Sequence, residues 1–287
     1  MSSFLQNYQR QPKLFIDLPS KGKFYDDTVL ENGQYVQIPV FGMNAMDEIM
    51  FKTPDALFSG EATAQVIRSC IPTILDPWQL VGYDIDFILI ALRIATYGDG
   101  MSVNTLCPHC STDTESVISL SKLLDGFNNY ETDFKFKVGE LIFSLAPITY
   151  KETTNFSIEH YQYDRELYQV LSLKDETEEE KDKRAKSVYA KTAKLNLRLA
   201  ISHIESVSNG HEEESNPSVI SEFINNNDAE FFAKLREGIT DLTSKWNLPQ
   251  FTIKCSNDEC TKEYKAAINV DYSNFFGVSS LRSRNLI

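Results

Sequence analysis

Four of the five cysteines lie in two short polar stretches, and their spacing is that of metal ligands. Leu106–Ser111 reads Leu-Cys-Pro-His-Cys-Ser, with two residues between Cys107 and Cys110. Phe251–Thr261 reads Phe-Thr-Ile-Lys-Cys-Ser-Asn-Asp-Glu-Cys-Thr, with four residues between Cys255 and Cys260. A chain that reverses within such a gap can aim both sulfurs at one ion, and four thiolates complete a tetrahedral Zn2+ site. Such a site has no open position, so its metal holds structure and does no chemistry. Two other readings stay open. The four could be ordinary thiols on exposed hairpins, although free cysteine usually prefers burial. Cys107 and Cys110 could form a redox pair, but that motif wants a helix after it, and a polar strand is predicted there. His109 reads as a solvent-facing residue, and Cys70 as core in an apolar helix.

Strands must flank both turns if the sulfurs are to converge. Met101–Leu106 and Thr112–Ile118 suit the first turn; Gln250–Lys254 and Tyr264–Ile268 suit the second. Together they outline a zinc ribbon made of two hairpins. The 144 residues at positions 111–254 separate the two halves, against about 15–20 in ordinary ribbons. A metal at Cys107, Cys110, Cys255 and Cys260 would therefore tie together the ends of a long insertion.

The chain has 287 residues, room for two modest domains, and its 42% hydrophobic content supports a true core. A net charge of −13 disfavours a general nucleic-acid surface, which needs clustered Lys and Arg. No apolar run approaches the roughly 18 residues of a membrane span. Met1–Gln11 is polar, without a secretory pattern, and five cysteines in such a chain suit a reducing compartment.

Residues 1–13 read as a flexible arm. Lys13–Leu18 and Tyr35–Val40 read as strands of a short hairpin, with Asn32-Gly33 as its turn. Asn44 caps a short helix through Lys52, and Glu61–Cys70 is a helix closed by Pro72. Asp84 is expected to cap a helix through Tyr97, with Gly98 as its stop. That helix is apolar on most sides and so belongs at the centre of the N-terminal core, with Arg93 paired to a carboxylate or facing outward.

Asp133–Val138 and Leu141–Ala146 form a predicted hairpin. Tyr150–Leu173 is a helix rich in aromatics (Phe156, Tyr161, Tyr163, Tyr168), whose interleaved acids favour core or protein contact over nucleic acid. Asp175–Arg184 begins a second long helix, along which Ala193, Leu197, Ala200, Ile204 and Val207 form an apolar face. Pro217–Asn225 and Asp228–Ile239 are shorter helices. Asp271–Phe276 is a short aromatic turn or helix. The predicted fold is α+β, mainly helical, with a short N-terminal hairpin and a small split zinc-ribbon-like β element. Its parts are a flexible arm (1–13), a core (14–125 plus 245–277), a mostly helical insertion (126–244) and a basic tail (278–287) carrying Arg282 and Arg284. That tail is a candidate docking peptide for an acidic or grooved partner.

No catalytic constellation is visible. His109, His160, His203 and His211 lie in no metalloprotease or nucleophile-elbow motif, and no Gly-rich phosphate cradle occurs.

The order of several segments carries a resemblance. Leu18-Pro19-Ser20-Lys21-Gly22-Lys23 comes first, then Ile38-Pro39 with Met43–Met50, then Ile67-Arg68-Ser69-Cys70-Ile71. Tyr83–Gly98 (Tyr-Asp-Ile-Asp-Phe-Ile-Leu-Ile-Ala-Leu-Arg-Ile-Ala-Thr-Tyr-Gly) and Cys107-Pro108-His109-Cys110 follow. Over about residues 14–125 this succession is similar to the baseplate-hub subunit family of T4-type contractile-tailed bacteriophages. The resemblance implies a non-enzymatic hub component or a hub and tail assembly factor, partnered by other tail proteins. It implies a location in the host cytoplasm during assembly, or in the virion tail baseplate. A zinc-ribbon nucleic-acid-binding regulator is the competing function, opposed by Asp113, Glu115, Asp258 and Glu259 around the two turns.

Overall fold

A computed structural model describes residues 9–129, 133–172, 177–246 and 249–267. The first eight residues of the expected arm, the 271–276 segment and the basic tail with Arg282 and Arg284 lie outside the described residues. The fold is α+β, with helices predominating over small antiparallel sheets. The chain divides into two compact units, one formed by Met1–Tyr130 with Asn247–Ile287 and the other by Glu131–Trp246.

In the first unit, strand β1 (Pro12–Ile16) pairs antiparallel with β2 (Ile38–Phe41). The N-terminal hairpin therefore exists, but the returning strand starts at Ile38 and not at Tyr35. Asn32-Gly33 does reverse the chain, both residues at positive φ, within a wide loop instead of at a tight hairpin tip. Helices α1 (Ala45–Phe51), α2 (Pro54–Phe58) and α3 (Glu61–Cys70) follow. Asn44 starts α1 through a reciprocal capping box: its side chain accepts from the Asp47 N–H, and Asp47 accepts from the Asn44 N–H. Arg10 donates to Asp47 and to the Ser69 hydroxyl and stacks over Phe41, pinning the approach to β1.

Helix α4 (Gly82–Tyr97) is the centre of this unit, with Ile85, Ile88, Leu89, Ile90 and Leu92 all buried. Its apolar residues surround the axis, so it has no solvent face to give up. One expectation fails here, and so does one of the two alternatives for another. Asp84 is not the cap, because the helix starts at Gly82 and Asp84 sits fully buried in its first turn. Its carboxylate instead accepts from the Ser20 N–H at 3.1 Å and the Tyr25 hydroxyl at 2.6 Å, locking the Ser20–Tyr25 loop onto α4. Arg93 does not face outward; it is buried, with its guanidinium 5.3 Å from the Tyr97 ring centroid.

Burial pushes the Asp84 carboxyl up to about 6, against the lowering by its bonds to Ser20 and Tyr25. An unfolded aspartate titrates near 3.9, so the folded chain holds the extra proton between those values. Stability from this group is complete below about pH 4 and is lost as pH rises through 6. Urea unfolding at pH 4 to 7 should show wild type gaining about 2–3 kcal/mol over Asp84→Asn on acidification across that window.

Hairpin β3 (Gly100–Leu106) and β4 (Asp113–Ser119) leads into α5 (Leu120–Asp125). The second hairpin, β9 (Gln250–Lys254) with β10 (Glu263–Ala267), returns to the same unit. Gly126 lies where a Cβ would sit 2.7 Å from Pro249, so only glycine permits that approach.

The second unit is built on β5 (Phe134–Val138), β6 (Leu141–Leu145), β7 (Ile204–Ser208) and β8 (Glu213–Glu214), antiparallel in that order. Between β6 and β7 the chain makes α6 (Tyr150–Ser172) and α7 (Glu178–Ser202), the latter opened by a Thr177/Glu180 capping box. Helices α8 (Pro217–Asn225) and α9 (Ala229–Ser244) add Ile220, Ile224, Leu235 and Ile239 to a core with Phe134, Phe143 and Leu145. The expected apolar helix face through Ile204 and Val207 is cut short. Helix α7 ends at Ser202, and both residues lie on β7, paired with β6. The α6 aromatics do not form a core either. Tyr161 and Tyr168 are exposed, the Tyr163 hydroxyl donates to Glu159, and Arg198 stacks over Phe156.

Candidate metal centre

Each thiol pair sits where one two-stranded ladder ends. The last β3–β4 pair is Leu106 with Asp113, and the turn between them carries Cys107 and Cys110. The last β9–β10 pair is Lys254 with Glu263, and the turn carries Cys255 and Cys260. The turns close alike. The Cys107 N–H donates to the Thr112 carbonyl at 3.0 Å, and the Cys255 N–H to the Lys262 carbonyl at 2.9 Å. The residue after each second cysteine, Ser111 and Thr261, takes a left-handed backbone at φ 58° and 46°. For β-branched Thr261 that conformation is costly, on the order of 1–3 kcal/mol, and persists only where the surroundings hold it.

The two turns meet. All four sulfurs lie within 4.8 Å of one another. Cys110 and Cys255 are 3.5 Å apart, and Cys107 and Cys260 are 3.9 Å apart. Thiolates bound tetrahedrally at about 2.3 Å would be separated by about 3.8 Å, so the donor set fits a metal ion. It does not fit two disulfides, whose sulfurs would stand at about 2.05 Å. Cys107, Cys255, Ile253 and Tyr264 are buried together, which gives the cluster an apolar floor. Cys110 is exposed.

Polar neighbours orient the sulfurs. The Asn257 N–H points at Cys255 Sγ from 3.4 Å, and the Thr114 hydroxyl lies 4.0 Å from the same sulfur. Ser256 N–H and Oγ both approach Thr114 Oγ1, at 3.4 and 3.3 Å, and Asn257 Nδ2 donates to Thr112 Oγ1 at 3.3 Å. Thr105 and Tyr264 share a hydroxyl contact of 2.7 Å. These bonds join the hairpins independently of the sulfurs. They are the functional residues that sequence reasoning missed. The available signal was Thr112, Ser256 and Asn257, each within two residues of Cys110 or Cys255, types that donate to sulfur and close turns.

The charges favour a cation. Hydrogen bonds from the Thr112 hydroxyl and N–H pull the Cys110 thiol down to about 6. The Asn257 N–H likewise favours a Cys255 thiolate, but desolvation and sharing with Cys110 and Cys107 push that thiol up to about 11. Crowded sulfurs thus resist a second negative charge, and a dication removes that resistance. Cys70 lies in α3 outside this cluster, fully buried, with its thiol pushed up to about 12 first by desolvation and then by Asp47. Iodoacetamide at pH 8 should therefore leave Cys70 unmodified in the native protein and label it only after denaturation, as peptide mass spectrometry would show.

The two distant hairpins of this α+β chain present four sulfurs to one point, a cluster that could hold a metal ion. The chain matches a family described as T4 bacteriophage base plate protein over residues 31–277, and it belongs to that family. It is a phage baseplate protein. No curated protein and no solved structure matches it. No helix among the described residues is long and apolar enough to cross a membrane.

Proposed function

We propose that the chain is a non-enzymatic component of the baseplate hub, or a factor in hub and tail assembly, stapled by one structural Zn2+. Cys107, Cys110, Cys255 and Cys260 are its ligands. Four thiolates are soft donors that suit Zn2+ and leave no position for a reacting molecule. The observation that carries this reading is the meeting of four sulfurs from turns 144 residues apart in a baseplate-family chain. The ion's work is topological: it closes the hub-like core of 14–125 and 245–277 around the helical insertion of 126–244. Other tail proteins are the partners, met in the host cytoplasm during assembly or in the virion tail baseplate. Arg282 and Arg284, in the basic 278–287 segment, supply a docking peptide for an acidic or grooved surface.

Protein purified under reducing conditions without chelator should contain about one zinc per chain by elemental analysis. A metal content near zero would remove the staple. Co-expression with other baseplate proteins should give stable complexes, and failure to associate with any of them would remove the hub assignment.

A further inference from the structure

The second unit carries an open cleft of about 670 Å³ between the β7–β8 hairpin and α8. Val207, Val219 and Phe223 give it apolar walls, and Glu212, Glu213 and Glu214 line its rim. No Lys or Arg is among the lining residues. Phe223 is held edge-on against Phe231 at 5.6 Å, so the wall is preformed. Val219 and Phe223 nevertheless remain 45% and 38% exposed, and β8 ends its sheet with no further strand among the described residues. An apolar slot beneath three carboxylates selects a ligand with aliphatic side chains and positive charge, and rejects anions.

One segment of this chain has that composition. Residues 279–287 read Ser-Ser-Leu-Arg-Ser-Arg-Asn-Leu-Ile, with two cations, three large aliphatic residues and no acid. Twenty residues, 268–287, follow the end of β10, a maximal reach of about 70 Å, enough to arrive at a neighbouring molecule. Elsewhere the chain is strongly acidic, so copies repel except where this segment bridges them.

We propose that the cleft of one copy receives residues 279–287 of a second copy, with Arg282 and Arg284 against the glutamate rim and Leu286 and Ile287 against the apolar walls. This deepens the docking reading of the basic segment given above, and rests on it. The contact joins two different surfaces, so it propagates head to tail and yields a closed ring or an open chain of subunits.

Sedimentation of the full chain over a range of concentrations tests it. Wild type should self-associate. Arg282→Glu with Arg284→Glu should weaken association about ten-fold, as should Glu212→Lys with Glu214→Lys, and mixing the two reversed proteins should restore it. Unchanged thermal midpoints would certify folding, and the arginine pair lies outside both folded units' described cores, so it stays informative if the glutamate pair does not fold. A labelled synthetic 279–287 peptide should bind wild type and lose binding in Phe223→Ser. Monomeric wild type at all concentrations, association indifferent to either reversal, or no restoration on mixing would overturn the proposal. So would peptide binding by a strictly monomeric protein, which assigns the cleft to another partner. Complexes with other tail proteins are read separately, so the hub reading and this contact fail independently.

Discussion

Replacing Cys255 by Ser should abolish stoichiometric zinc and lower the stability of the unit that holds the four cysteines by more than about 4 kcal/mol. Cys255 is buried and stands 3.5 Å from Cys110, with Asn257 and Thr114 arranged around its sulfur. A serine oxygen is shorter and harder, and it does not ionise near neutral pH, so it cannot complete the thiolate set. The three remaining sulfurs would then face one another without a cation. What survives between the hairpins is the Thr105–Tyr264 contact and the bonds among Thr112, Thr114, Ser256 and Asn257. Neutral hydrogen bonds of this kind are worth about 1 kcal/mol each, too little to replace a bound dication. The β9–β10 hairpin should become the first site of protease cleavage. Zinc content, thermal unfolding and limited proteolysis measure the three effects, and an unchanged result in all of them would show that Cys255 is not a ligand.

Replacing Phe143 by Ala should cost about 3–5 kcal/mol and unfold the Glu131–Trp246 unit while zinc remains bound. Phe143 lies on β6, between β5 and β7 in the sheet, and is fully buried. Its ring stacks with Phe136 at 5.5 Å and tilts against Phe231 at 6.2 Å, so deletion leaves a void that neither neighbour can fill without moving. The backbone on both sides is held by the β5 and β7 ladders, which resists collapse into the gap. None of the four cysteines lies in this unit. The expected calorimetric trace therefore has its insertion transition shifted down and its metal-dependent transition in place. Loss of zinc alongside the insertion would contradict independent folding of the two units.

Much of the local structure was legible because its causes are local. Helix α3 runs from Glu61 to Cys70 as its periodicity and Pro72 dictate, and α8 follows Pro217 as its start signal requires. Asn44 caps α1, and strand β9 covers the predicted Gln250–Lys254. The failures have non-local causes. Ile204 and Val207 continue a helical spacing, yet both are good strand formers, and the bulge in the β6–β7 pairing lets residues three apart share a face. Asp84 looked like a cap because caps are recognised by residue type. The Ser20–Tyr25 loop, some sixty residues away in sequence, supplied donors that only a folded chain could bring to it.

The same division runs through the cysteine cluster. Residue type, the short gaps and the strand–turn–strand pattern determined by themselves that each turn could offer two sulfurs to an ion. A turn's geometry depends on a handful of neighbours, so its chemistry can be read from them. Whether the two turns meet was decided by tertiary structure alone, since no local pattern specifies a contact across 144 intervening residues. Closing so long a loop costs entropy that grows only with the logarithm of its length, and contacts between the hairpins repay it. Those contacts, Thr105 with Tyr264 and Thr114 with Ser256, exist only once both hairpins have formed.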